Sequence, residues 1–312
     1  MSAQKERTNY AKMPDEELES LAMDGNQRAQ FHMGKRCAEK SEGLKGLEKT
    51  QSMAYATMWL RMAYDNIGEA YSPERKATNN SRITEQARVL LGDMYWQQAQ
   101  MHREDTPGDA DPHYTLFGKT FLRKGIEIGD TKIQNHVASL FLRGNLMQME
   151  EKIRRPEENR ALALSLLLAN VQKNDADALT QLAICAEETK ALDIKAAYGQ
   201  ALALSSYGDD SEHAQFSRHK GFQIIQDVAN DANDEDGYHL AIVALGNLQR
   251  FANDQAGAKA TEKKKPASLQ GNFSSKSATA AGHHDTAFVT LIANTRARIS
   301  GEQPGVHAAM TR

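Results

Sequence analysis

The 312-residue sequence is poor in the residues that characterise β-rich, disulfide-bonded and membrane-embedded proteins. Aromatic residues make up only 6% of it, whereas Ala, Leu, Gln, Glu, Met and Lys, which favour helices over sheets, are plentiful. The seven prolines fall mostly where connections between helices are expected, so they do not interrupt them. This composition predicts an all-α protein.

Cysteines and long apolar runs are equally scarce. Cys37 and Cys185 lie far apart in apolar contexts and form neither a disulfide framework nor a CxxC ligand pair, so we expect ordinary buried side chains. No apolar run approaches the ~18 residues of a membrane helix, and Met1–Arg7 lack the apolar core of a signal peptide. We therefore expect a soluble cytoplasmic protein without membrane insertion.

The net charge of −3 is unevenly distributed. Residues 253–312 carry +4, which leaves −7 on residues 1–252. An acidic body repels phosphate backbones, so the sequence predicts that the protein does not bind nucleic acid.

A degenerate repeat runs along the body. Ala29–Cys37 and Ala87–Tyr95 both fit the pattern A-x-x-x-(L/M)-G-x-x-(C/Y), whose outer and central residues align on one stripe of a helix. This stripe predicts a buried seam. Gly34 and Gly92 lie away from the seam, where a missing side chain lets a second helix approach closely. Further copies without the glycine begin at Ile133 and Ala178, and a weaker copy begins at Ala214.

Each repeated segment precedes a second apolar, alanine-bearing segment that predicts a partner helix. Glycine or asparagine follows these segments, as at Gly129, Asn174 and Gly208, where it can take the left-handed conformation that ends a helix. The polar stretches 72–81 and 97–112 are expected to be surface loops. The predicted second helices are 54–63, 114–128, 160–171 and 194–205.

The helix pair resembles the repeat of the Sel-one-like family, relatives of the tetratricopeptide repeats. Ala87–Tyr95 is the best match, Met58–Ala63 looks like the family's second-helix signature, and Asp24–Asn26 resembles its inter-repeat turn. The resemblance spans about residues 15–222. It implies an α-solenoid, a superhelix of antiparallel helix pairs, that acts as an adaptor or scaffold, for example as a bacterial subunit of a secretion or signalling assembly.

The chain is expected to comprise a solenoid over residues 1–252 and a flexible polar tail over 253–312. Residues 237–251 predict a terminal helix without an obvious mate, and 253–282 predict a flexible linker. In the tail, a short helix is expected at 285–299 with Phe288, Leu291, Ile292 and Ile299 on one face. This helix either folds back on the solenoid or docks on another protein.

Signatures of catalysis and metal binding are incomplete. Phe117–Thr120 end like a phosphate-binding loop, but His113 replaces the glycine required five residues before Gly118. Asp231–Gly237 lack both anchoring carboxylates of a calcium loop, and His283–Asp285 give no closed ligand set. We therefore predict no enzyme, with no catalytic, cofactor-binding or metal-binding residues.

Stacked helix pairs present a groove that suits a peptide or a helix of another protein, so the sequence predicts an interaction adaptor. The alternative functions are a secreted effector that binds a host protein and, less favoured, an enzyme with a hidden site on the concave face. For the stripe opposite the seam, inter-helix packing competes with partner contact. The candidate partner-binding residues are Phe31, Lys35, Val89, Asp93, Trp96, Phe288, Leu291 and Ile292.

Overall fold

The computed structural model describes residues 9–65, 81–104, 113–144, 156–231, 235–262 and 286–300. These residues form twelve α-helices, a 3-10 turn at Tyr10–Lys12 and two very short strands, β1 (Arg103–Glu104) and β2 (His113–Tyr114). The expected all-α class is confirmed. The helices are α1 (Asp15–Met23), α2 (Gln27–Glu42), α3 (Gly46–Asp65), α4 (Ser81–Met101), α5 (Leu116–Glu127), α6 (Thr131–Leu142), α7 (Pro156–Gln172), α8 (Ala176–Thr189), α9 (Leu192–Ser205), α10 (Glu212–Asn230), α11 (Glu235–Glu262) and α12 (Thr286–Ser300).

Residues 97–104 of the region expected to be a loop at 97–112 form regular secondary structure, apart from a turn at His102. Residues 97–101 complete the last turns of α4, and β1 then pairs antiparallel with β2, with Arg103 opposite Tyr114. The loop prediction is therefore wrong for residues 97–101, which belong to α4, and for Arg103 and Glu104, which pair with β2. Residues 105–112 and 72–80 lie outside the described residues, and Ser81 already belongs to α4.

The chain forms two compact units. The first contains Met1–Gln134 with Met147–Ile153, and the second contains Asn135–Leu146 with Arg154–Arg312. The boundary falls within α6, whereas the sequence suggested a division at residue 252. That position lies inside α11, which continues to Glu262.

The first unit is built from helices that pack on their neighbours in sequence. Helix α3 packs against α2 and α4, while α4 also contacts α2 and α5. The predicted seam is confirmed on α4, where Ala87, Leu91 and Tyr95 are buried. On α2, Ala29 is buried in a small core with Trp59, whereas Met33 and Cys37 are only partly buried.

The close approach predicted at Gly34 is confirmed. A Cβ atom on Gly34 would lie 2.6 Å from Cγ of Leu60 and 3.0 Å from its backbone nitrogen, so α3 approaches α2 to the distance that only glycine allows. The predicted ends of α5 and α7 are also confirmed, because Gly129 and Asn174 have φ values of 73° and 63°.

The second unit has α9 at the centre of its core. This helix contacts α7, α8, α10 and α11, and it buries most of its apolar side chains. At its crossing with α10, a Cβ on Gly199 would lie 2.8 Å from the carbonyl oxygen of Gly221, and the reverse distance is 2.6 Å. Helix α11, for which the sequence suggested no mate, packs against α9, α10 and α12.

Helix α12 confirms the short helix expected in the tail and folds back onto the second unit. It contacts α10 and α11, and Ile292 is only 3% exposed in the core, with Leu291 and Ile299 packed against the same core. The sequence left open whether this segment folds back on the chain or docks on another protein, and in the structure it folds back on the chain. Residues 263–285, which include most of the predicted linker and His283–Asp285, lie outside the described residues.

No described helix is both long enough and apolar enough to cross a lipid bilayer. Sequential packing of neighbouring helices is what a solenoid requires, and the superhelical arrangement itself stays a prediction.

The substitution Gly34→Ala should destabilise the first unit by about 1–2 kcal/mol, because overpacking against Leu60 outweighs the better helix propensity of alanine. Trp59 and Trp96 are the chain's two tryptophans, and both lie in this unit, so urea unfolding followed by tryptophan fluorescence reports on it. The control is Gly43→Ala in the same unit. Gly43 has a φ of −87° and open space around it, so this change should stabilise by about 0.5 kcal/mol. Equal effects of the two changes would contradict the close approach.

The substitution Ile292→Ala should destabilise the docking of α12 by about 2–4 kcal/mol, because it leaves a cavity in the core. Val289, which is 42% exposed on the same helix, supplies the control Val289→Ala, which should have little effect. Urea unfolding followed by circular dichroism measures the stability, and limited proteolysis measures local release of α12. Matching behaviour of the two variants would mean that α12 does not dock through Ile292.

Candidate functional site

The predicted residues of α2 occupy different environments. Phe31 is 7% exposed and meets the His32 ring edge-on at a centroid distance of 5.3 Å, so it packs inside the unit. Of the two alternatives for this residue, its burial favours packing within the unit over contact with a partner, because neighbouring side chains already cover the ring. Lys35 is exposed, and its Nζ lies 3.7 Å from Oε1 of Glu39 one turn later. Lys35 thus remains accessible.

The predicted residues of α4 lie on its outward side. Val89 is 47% exposed. Trp96 is partly covered, because Nζ of Lys132 lies 4.6 Å from the centroid of its ring. Asp93 is exposed in part and lies near the start of α6.

Asp93 shares its surroundings with a second carboxylate. Burial raises the pKa of Asp93, and repulsion from Asp130 raises it further, whereas Lys132 lowers it. Asp130 is held in place because its Oδ1 accepts a hydrogen bond of 2.9 Å from the backbone nitrogen of Ile133, which caps α6. Gly92 allows this arrangement, since a Cβ there would lie 2.1 Å from Oδ2 of Asp130. The predicted closeness at Gly92 is confirmed, but the neighbour is a helix cap.

The predicted residues of α12 lie in the second unit. Ile292 is buried and Leu291 is partly buried, so neither side chain is presented to a partner in this arrangement. Docking of α12 within the chain explains why. The side chain of Phe288 lies outside the described residues.

A surface cavity of about 330 Å³ opens between α2 and α4 in the first unit. No acidic residue is among those that line it. The lining residues are Asn9, Tyr10, Ala11, Arg28, His32, Arg82, Ile83 and Gln86.

Helix periodicity places these side chains on one side of each helix. Asn26 caps α2 by accepting a 3.1 Å hydrogen bond from the nitrogen of Ala29, which sets Arg28 in the first turn and His32 one turn later. On α4, Arg82 and Gln86 are likewise four residues apart.

The wall of the cavity nearest the N-terminus is held by polar contacts. The rings of Tyr10 and His32 stack at 5.9 Å with an angle of 9° between their planes. The Asn26 amide donates to the Tyr10 hydroxyl at 3.2 Å. Arg36 donates to the carbonyl oxygens of Tyr10 and Ala11, each at 3.1 Å, and forms an ion pair with Asp15. These contacts keep the 3-10 turn beside α2.

The cavity is electropositive. Burial lowers the pKa of His32, and the positive charges of Lys35 and Arg36 lower it further. Within the described part of the chain, Arg28 and Arg82 have neither a hydrogen bond nor an ion pair. The cavity therefore offers unpaired hydrogen-bond donors and positive charge.

We define the α2–α4 face by the exposed or half-buried residues that continue these two stripes. On α2 they are spaced by four and three residues, and on α4 by four, three and four, which is the period of one helix side. Lys35, Val89 and Asp93 of this face were predicted from the sequence, whereas the cavity was not. The alignment of Arg28 with Gln86, each preceding the repeat alanine, was the signal that could have revealed it. The members are Arg28, His32, Lys35, Arg82, Gln86, Val89 and Asp93.

Groups of possible metal ligands can be assessed only within the described ranges. No group of three or more His, Cys, Asp or Glu side chains that could hold a metal ion occurs there.

The substitution Asp93→Asn should stabilise the first unit at neutral pH by about 0.5 kcal/mol or less, because the charged carboxylate is disfavoured where it lies. A carboxyl group whose pKa is raised by folding destabilises the folded state only at pH values where it is ionised. The stabilisation by Asp93→Asn should therefore shrink as the pH falls toward about 3.9, the ordinary pKa of an aspartate side chain. Tryptophan-monitored urea unfolding at several pH values measures it, with Glu39→Gln as an exposed control. A loss of stability at neutral pH would show that attraction to Lys132 outweighs desolvation.

Comparison with known proteins gives no assignment. No protein-family model matches the sequence, no curated protein matches it, and no solved structure matches it.

Proposed function

We propose that this protein is an interaction adaptor that binds a partner protein through the α2–α4 face of its first unit. The observation that carries the proposal is the combination on one helix side of an exposed apolar residue, Val89, with an adjoining cavity. Surfaces that bind proteins combine apolar contact area with polar groups at its edge.

The order of helices supports the same role. Helices α2 and α4 are the first members of successive helix pairs and contact each other directly, as do the first helices of tetratricopeptide-like repeats. In such a solenoid, the first helices line the groove that receives a peptide or helix. The resemblance to Sel-one-like repeats points to the same surface and is part of the proposal.

The fold leaves most residues of the α2–α4 face exposed, with His32 partly covered by Tyr10, while it uses another side of α2 for packing. Gly34 faces α3, whereas Arg28 and Lys35, which lie about 100–120° from it around the helix axis, are exposed. One side of α2 therefore packs against α3, and the side that carries Arg28 and Lys35 is proposed to bind the partner.

The photo-crosslinking amino acid benzoylphenylalanine, placed at Val89 in the full chain, should give discrete adducts in the native cell. Phe117 provides a matched control, because it is apolar, 66% exposed and in the same unit but outside the face. Mass spectrometry of the crosslinked peptides identifies the partner and its contact segment. Adducts at Phe117 without adducts at Val89 would contradict the proposed surface.

The two forms of the proposal differ in where the partner occurs. For a subunit of a bacterial secretion or signalling assembly, the Val89 adduct should form with a protein of the native cell. For a secreted effector, the alternative, it should form only in a lysate of the host.

A further inference from the structure

The cavity of the α2–α4 face is lined by positively charged side chains that have no partner among the described residues. The other arginines of the first unit's described ranges each take part in an interaction: Arg36, Arg61, Arg88, Arg103 and Arg123. Arg28 and Arg82, which have none there, both line the same cavity. Two unpaired arginines at one opening, with no carboxylate in the lining, leave a local excess of positive charge.

We propose that this cavity binds carboxylate side chains of an acidic peptide segment in the partner protein. The inference rests on the proposed function and specifies its partner chemistry. A guanidinium group offers paired N–H donors in a planar fork that matches a carboxylate, so Arg28 and Arg82 are suited to this ligand.

The remaining lining residues fit the same ligand. Gln86 and Asn9 provide neutral polar groups, and the stacked rings of Tyr10 and His32 provide a flat wall for the aliphatic part of a glutamate. The volume of about 330 Å³ lies at the lower end of ligand pockets, so it suits one or two side chains better than a large cofactor.

A peptide is favoured over an isolated small anion because one exposed apolar side chain, Val89, lies on the same side of α4 as the cavity residues Arg82 and Gln86. Val89 follows Gln86 by three residues, one turn further along α4, and is exposed beside it. When an acidic side chain of a bound peptide enters the cavity, the next residues of that peptide can therefore contact Val89. Positive charge next to apolar surface selects acidic segments that also carry apolar residues.

The test uses the full chain and three probes in titration calorimetry: an acetylated peptide of alternating Glu and Leu residues spaced by Gly, the same peptide with Gln for Glu, and inorganic phosphate. The Glu peptide should bind, the Gln peptide should bind at least about tenfold more weakly, and added salt should weaken the Glu peptide selectively. Equal binding of the Glu and Gln peptides, or tighter binding of phosphate than of the Glu peptide, would overturn the proposal.

The variant R28Q/R82Q should weaken binding of the Glu peptide by about tenfold or more. The control R298Q/K220Q removes the same charge from two exposed residues of the second unit, which have no partner among the described residues, and should leave binding unchanged. Tryptophan-monitored unfolding shows that each variant is folded, and the single variants R28Q and R82Q replace the double one if it is not. An equal loss in both double variants would mean that overall charge, and not the cavity, attracts the peptide.

The Val89 crosslink separates this inference from the proposed function. Suppose that the Val89 adduct still forms in R28Q/R82Q and that the unsubstituted protein binds the Glu and Gln peptides equally. This result would refute the proposal of an acidic ligand but not the proposal that the α2–α4 face binds a protein. If no Val89 adduct forms even when Arg28 and Arg82 are both present, the proposed binding of a partner to the α2–α4 face is refuted.

Discussion

The close approach of neighbouring helices at positions without side chains is the constraint on which the structure depends. Gly34 brings α3 against α2, and the facing glycines Gly199 and Gly221 bring α9 against α10 backbone to backbone. Each approach buries apolar side chains such as Leu60, whose transfer from water stabilises the units. A Cβ atom at these positions would push the helices apart and open the core.

This packing also decides which surface is left for binding. Because α3 covers the Gly34 side of α2, the stripe that carries Arg28 and Lys35 faces outward beside α4. Polar groups near it serve structure: Arg36 ties the 3-10 turn to α2, and Asp130 caps α6 against Gly92. The two arginines of the cavity take no part in such contacts within the described chain. Their charge is thus available for a ligand.

Helix pairs and their ends were predictable from the sequence because their determinants are local. The four-residue spacing of Ala87, Leu91 and Tyr95 predicts that they lie on one buried side of a helix. Gly129 and Asn174 have left-handed backbone conformations, and glycine and asparagine are the residues that favour this conformation at helix ends. Long-range events were not predictable in this way. The burial of Ile292 by α10 and α11 depends on contacts between segments that are distant in the chain.

The all-α class, the positions of most helices and the buried seam of α4 could be predicted from the amino-acid sequence, because each follows from periodicity within one helix. The covering of Phe31, the return of α12 to the second unit and the shared cavity of Arg28 and Arg82 became visible only in the packed helices. The physical reason is that a cavity is made by the packing of α2 on α4. Helical periodicity orients each side chain about its own axis and carries no information about which other helix will lie beside it.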